Sequence, residues 1–146
     1  MVREIEFLKA ELKVDSELRN DMLDEESRKT PALHAKWISF LADERKTLSL
    51  LGKQLKRLEH QRTLYFLGKQ SPEYIKSNGG AFQYKLLKSD VPMWINQDSQ
   101  VQELQIAIEE SEARIEFILE AVKSINSRGW TIKNILTWLQ FSNGNN

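Results

Sequence analysis

The sequence contains no cysteine, two histidines and three prolines in 146 residues. Without cysteine there are no disulfides and no thiolate-metal sites, which fits a reducing compartment. His34 and His60 are far apart in sequence, and no His, Asp or Glu spacing suits a metal. A nucleophile elbow is missing, as is a pair of apolar-flanked carboxylates. Leu-Gly-Lys-Gln occurs at 51–54 and again at 67–70, but neither copy has the upstream glycine or following Ser/Thr of a phosphate-binding loop. Neither an enzyme nor a cofactor is expected. No apolar run approaches the roughly 20 residues of a membrane span. Met1 to Glu11 alternates charged and apolar residues without a signal-peptide core. An intracellular, soluble chain follows, and at 40% hydrophobic residues it has enough for one domain with a modest core.

What is abundant is charge, and its net value of zero hides a segregation along the chain. From Arg45 to Lys88 there are ten Lys/Arg against two Glu, interleaved with Tyr65, Phe66, Tyr74, Phe82 and Tyr84. From Asp98 to Glu120 seven acids face Arg114 alone. Cations neutralise phosphates and aromatic faces stack on unpaired bases, so a basic stretch carrying rings suits single-stranded nucleic acid.

The pattern of apolar residues predicts a mainly α fold. Ile5, Leu8, Leu12 and Val14 mark a short amphipathic helix followed by a polar connector. Thr30-Pro31 has the form of a helix start, with Thr as N-cap and Pro at the first helical position. Proline is then absent until Pro72. Trp37, Leu41, Leu48, Leu51, Leu55, Leu58 and Tyr65 repeat in three- and four-residue steps once Glu44 and Arg62 are counted in the stripe. A helix to Leu67 would run about 50 Å, so it should pack against another long helix or another subunit. Gly68 ends it. Asn78-Gly79-Gly80 before the alternating Phe82, Tyr84 and Leu86 is the signal of either a hairpin or a tight turn, and the alternation suggests a short strand over Phe82–Leu87 in a small insert. Ser99 with Gln102 resembles a capping box for a second long helix, whose seam runs from Val101 through Leu104, Ile108, Ile115, Ile118 and Val122 to Ile125. Gly129 is its expected C-terminal glycine. A last helix over roughly Thr131–Phe141 places Ile132, Ile135, Leu136 and Leu139 on one face, with Trp130 and Trp138 near its edge. A frayed polar tail is expected from Ser142 to Asn146. The division expected is a helical nucleic-acid-binding region, 1–128, with its basic segment at 45–88, and an assembly helix with tail, 129–146.

Within the first long helix Lys46, Lys53 and Arg57 fall together, opposite the leucines. A solvated outer face is the ordinary explanation for such bases. Here the acids that usually alternate with them are missing, and the excess continues into a ring-containing loop. Arg62 lies in the apolar seam, where it is either paired with an acid or left open to a ligand phosphate. Tyr65, Phe66, Phe82 and Tyr84 are either stacking platforms or the core that holds the 68–100 segment, with one or two expected to be exposed. Trp37 and Trp94 read as core or interface. The acids of 98–120 form a solvated helix face or pair with a basic surface elsewhere.

Four strings lie in order along the chain: Thr30-Pro31-Ala32-Leu33-His34-Ala35-Lys36-Trp37, Gln61-Arg62-Thr63-Leu64-Tyr65-Phe66-Leu67-Gly68-Lys69, Phe82-Gln83-Tyr84-Lys85 and Ser127-Arg128-Gly129-Trp130-Thr131-Ile132-Lys133-Asn134. Together with a terminal Phe141 they resemble the UvsY family of recombination mediators of T-even-type phages. The likeness covers most of the chain and is poor over the first 30 residues. It implies a helical protein that assembles through its C-terminal region into a ring-like homo-oligomer of six or seven subunits. It also implies binding to single-stranded DNA in the host cytoplasm. Such a protein helps load a RecA-like phage recombinase onto DNA coated with the phage single-strand-binding protein. The family's basic pair at the end of the long helix matches Arg62, but meets His60 where a lysine is common.

The residues expected to contact DNA are therefore Lys53, Lys56, Arg57, Arg62, Lys69, Lys85 and Lys88, with Tyr65 and Tyr84 as stacking rings. Assembly is expected to rest on Ile132, Ile135, Leu136, Leu139 and Phe141. The rival reading is a coiled-coil scaffold or adaptor that binds only protein partners.

Overall fold

The computed structural model describes residues 3–144, which form six α-helices, two short 3-10 turns and no strand. They are α1 (Ile5–Asp15), α2 (Leu23–Phe66), α3 (Pro72–Ser77), α4 (Val91–Gln97), α5 (Ser99–Asn126) and α6 (Arg128–Ser142). Of the expected polar tail, 145–146 lie outside the described residues. The chain divides into two compact units, one built from the residues up to Lys46 with those from Ala113 on, the other from Thr47–Glu112. Both long helices, α2 and α5, supply residues to each unit. α6 groups with α1 and the first part of α2.

In the first unit the core is Leu8, Trp37, Leu41, Ile118, Ala121 and Ile125, which brings together α1, α2 and α5. Trp37 is fully buried and its indole N–H donates to Asp15 Oδ2 at 2.9 Å. A buried indole keeps its single donor satisfied in this way. The same carboxylate accepts from Lys36 Nζ at 2.8 Å. α1, whose packing partner the sequence leaves open, thus lies on the Trp37 cluster through Leu8, with Ile5 and Leu12 half-buried against it.

α2 begins at Leu23, well before Thr30-Pro31, so Pro31 sits inside the helix rather than at its first turn. An interior proline removes one helical hydrogen bond and costs about 3 kcal/mol. Several features oppose that cost. Asp24, Glu25 and Glu26 lie in the first turn, where the helix dipole favours negative charge, and Leu23 is buried. Arg128, at the start of α6, donates to the Glu26 carbonyl at 2.9 Å and to its carboxylate at 2.9 Å. It also bonds the Asp15 carbonyl at 2.8 Å and Thr30 Oγ1 at 3.1 Å. One guanidinium therefore ties the end of α1, the first turns of α2 and the start of α6 together.

The second unit is organised by Tyr65, Phe66, Val91, Ile95 and Val101, with Leu55 and Leu58 of α2 packed against them. Gly68 ends α2 as expected: its φ of +72° permits the closing bond from Lys69 N–H to the Leu64 carbonyl, 2.8 Å. The expected strand and hairpin are absent among the described residues. Ser71 caps α3 by accepting from Tyr74 N–H at 3.3 Å, and Pro72 starts it. Asn78-Gly79-Gly80 then closes this helix, with Gly80 N–H on the Ile75 carbonyl at 2.9 Å. The turn signal was sound, but what precedes the turn is a helix, so Phe82–Leu87 has no partner strand. The capping box at Ser99 is also replaced. Asp98 caps α5, its carboxylate accepting from Val101 N–H at 3.2 Å, while Gln102 reaches the Asn96 carbonyl. Gly129 lies within α6 rather than ending α5.

Candidate nucleic-acid interface

Lys53, Lys56 and Arg57 are exposed on α2 while Leu55 and Leu58 between and beside them turn to the core. Lys69 follows the terminating Gly68 and is exposed, as are Lys85 and Lys88. Among the described residues none of these six cations forms an ion pair. Their charge is therefore not neutralised within the protein.

Arg62 behaves differently, and the open alternative at this position resolves towards pairing. It is 7% exposed, with Nη2 2.9 Å and Nε 3.0 Å from Asp98 Oδ1. Its Nη1 donates to Asn78 Oδ1 at 3.1 Å and to the Tyr74 hydroxyl at 3.4 Å. The guanidinium lies over the Tyr65 ring, 4.4 Å from its centroid. Burial works against the charge of Arg62, but the Tyr74 hydroxyl and the Asp98 carboxylate outweigh it and hold the pKa above its ordinary value. Tyr65 is also buried, its hydroxyl donating to the Gly80 carbonyl at 2.7 Å. Arg62 and Tyr65 thus brace the connecting segment against α2. Both stand among the expected contacts, and both are buried in the protomer.

The rings of the segment form a continuous set. Phe82 packs edge-on against Phe66, with centroids 4.9 Å apart, and against Trp94, 5.1 Å apart. Tyr84 packs on Phe82 and Trp94 yet remains 62% exposed, so it is the ring of the set that faces outward. Beside it lies a hollow of about 250 Å³ walled by Phe66, Phe82, Tyr84, Lys85 and Leu86. A larger groove, about 530 Å³, runs past Glu59, Thr63, Lys88, Val91, Pro92 and Ile95. No group of His, Asp or Glu capable of holding a metal occurs among the described residues, and none of the described helices is long and apolar enough to cross a membrane.

The residues expected to drive assembly separate by exposure. Ile132 is buried in its own protomer and Ile135 is half-buried. Leu136, Leu139 and Phe141 are exposed, and Trp130 and Trp138, both 66% exposed, join them. Asp98 and Asn78, the partners of Arg62, were not identified as such from the sequence, whereas Trp94 was read as core or interface and packs on Phe66, Phe82 and Tyr84. Asn78 was visible as a turn residue, but nothing local marks Asp98 as the partner of Arg62.

The family model described as "Recombination, repair and ssDNA binding protein UvsY" matches residues 8–145. The match reaches well into the first 30 residues. No curated protein matches the chain. Crystal structures of the bacteriophage T4 recombination mediator protein UvsY are similar in fold. The lattice type II form superposes with a TM-score of 0.80 at 22% identity, covering 97% of this chain and 98% of that one. The type IV form gives 0.81 at 21% identity, covering 95% and 99%.

Proposed function

This chain belongs to the UvsY family, and from that premise we propose that it binds single-stranded DNA as a ring-like homo-oligomer. In this reading it acts without catalysis, helping a RecA-like phage recombinase to load onto DNA coated with single-strand-binding protein in the host cytoplasm. The observation that carries the reading is the set of six exposed cations, Lys53, Lys56, Arg57, Lys69, Lys85 and Lys88, that form no ion pair among the described residues. They share the compact unit that holds the outward-facing Tyr84. Such cations attract phosphate, and an exposed ring, here Tyr84 with Lys85 at the same hollow, distinguishes an unpaired base from a duplex.

The apolar side chains exposed on α6 supply the means of assembly. Leu136, Leu139 and Phe141 in water leave apolar surface that a neighbouring subunit can cover. Assembly multiplies the basic patch, and linked sites on one oligomer raise the effective concentration for a single strand without any new contact. Arg62, Asp98 and Tyr65 serve by holding the contact-bearing segment in place.

The mediator role is tested with recombinase and single-strand-binding protein together. Recombinase ATP hydrolysis on coated single strands is expected to be slow to start, and added protein to shorten that lag. A variant with Lys53, Lys56 and Arg57 changed to Glu should fail to do so at equal mass and helix content. A lag unchanged by the wild-type protein would refute the mediator role.

A further inference from the structure

Tyr84 is held in an unusual way for so exposed a side chain. Its ring packs against Phe82, centroids 5.6 Å apart at 64°, and against Trp94, 5.8 Å apart at 31°. Phe82 is in turn set edge-on to both Phe66 and Trp94. The edge-to-face contact with Phe82 and the tilted contact with Trp94 favour one orientation, so two partly buried rings, themselves packed on Phe66, hold the plane of a third that is mostly in water. The hollow beside it has aromatic walls on the Phe66 and Phe82 side and a lysine, Lys85, among its lining residues. Flat apolar walls with a cation next to them match a nucleobase carried on a phosphate backbone.

We propose that this hollow receives one unpaired nucleobase per subunit, its face against Tyr84 and its backbone phosphate on Lys85. Trp94 is a positioning residue: it holds the Tyr84 ring. At 5.8 Å the two rings leave no gap the thickness of a base between them, so the base lies on the Tyr84 face turned away from Trp94. The inference rests on the single-strand reading, since it names how that site takes a base.

The test compares oligothymidylate with an oligomer of the same length built of abasic nucleotides, which keeps the phosphates and removes the rings. The wild-type protein should bind the base-bearing strand at least about fivefold more tightly. Tyr84→Leu should lose that preference and keep its affinity for the abasic strand, whereas Tyr84→Trp should retain the preference. Trp94→Leu should reduce the preference and Trp94→Phe restore most of it, again at constant abasic affinity. Equal wild-type affinity for the two strands would overturn the base site and leave phosphate binding standing. Binding to neither would instead refute the single-strand reading itself. If Trp94→Leu weakened both strands alike, its role would be purely structural and the positioning claim would fail.

Discussion

Arg62 and Asp98 meet at 2.9 Å, both side chains almost wholly buried, across 36 residues of sequence. Asp98 at the same time caps α5 through Val101 N–H. The pair thus fixes the last turns of α2 to the first turn of α5, with the basic segment looped between them.

Removing one partner of such a pair leaves a charge buried without compensation. Arg62→Ala is expected to lower stability by about 3–5 kcal/mol in urea titration. Arg62→Lys should recover only part of this, because an ammonium lacks the planar fork that reaches Asp98 and Asn78 together. A loss below about 1 kcal/mol would show that the pair is not a structural brace.

Glu26 has its carboxyl held below the ordinary value of 4.5, first by the hydrogen bond from Arg128 and then by that from Lys29, against the opposing effect of burial. Because the folded value is depressed, the stabilisation is fully present above pH 4.5 and is lost as pH falls through the folded value. Glu26→Gln should therefore be less stable at neutral pH, with a shallower decline on acidification below 4.5. Parallel acid-denaturation curves for the two proteins would contradict this.

Binding to single strands should weaken with salt, log K falling against log[salt] by about 0.7 for each phosphate neutralised. Each of Lys53→Ala, Lys56→Ala and Arg57→Ala that removes a phosphate contact should flatten the slope by about that amount. Titrations by fluorescence anisotropy at several salt concentrations measure it, and a slope untouched by all three would place the site elsewhere.

On α6, Leu139 is 37% and Phe141 69% exposed. Fully burying such a side chain from water is worth roughly 1.5–3 kcal/mol, and covering the part still exposed here a corresponding fraction of that. Leu139→Glu with Phe141→Glu should yield smaller species by light scattering while leaving the protomer core intact. Deletion of 130–146 should do the same, although it also takes Ile132 out of the core. An unchanged mass in the double variant would assign assembly to other surfaces.

The long helices were legible because their apolar steps are regular over many turns. The two residues that interrupt the first stripe, Glu44 and Arg62, were readable as anomalies but not as pairs. Glu44 finds Arg114, 70 residues away and 2.9 Å distant, and Arg62 finds Asp98. Charge complementarity at that separation leaves no local trace. Thr30-Pro31 misled because a strong local start signal was overridden by tertiary contacts, among them the Arg128 bonds to Glu26. The strand expected at Phe82–Leu87 failed because alternation shows which side chains turn inward and says nothing of a partner strand. For the candidate site, the cations were plain in the sequence. The burial of Tyr65 and the exposure of Tyr84 were not, since both are tyrosines in a basic context and only packing on Phe66, Phe82 and Trp94 separates them.

The central claim is that this protein recognises unpaired DNA, and one competition measures it. Labelled single-stranded oligonucleotide bound to the full-length protein is challenged with unlabelled single-stranded or duplex DNA of equal length at fixed salt. The account predicts displacement by the single strand at concentrations where duplex leaves the complex largely intact. Equal displacement by both, or no complex to displace, would contradict it.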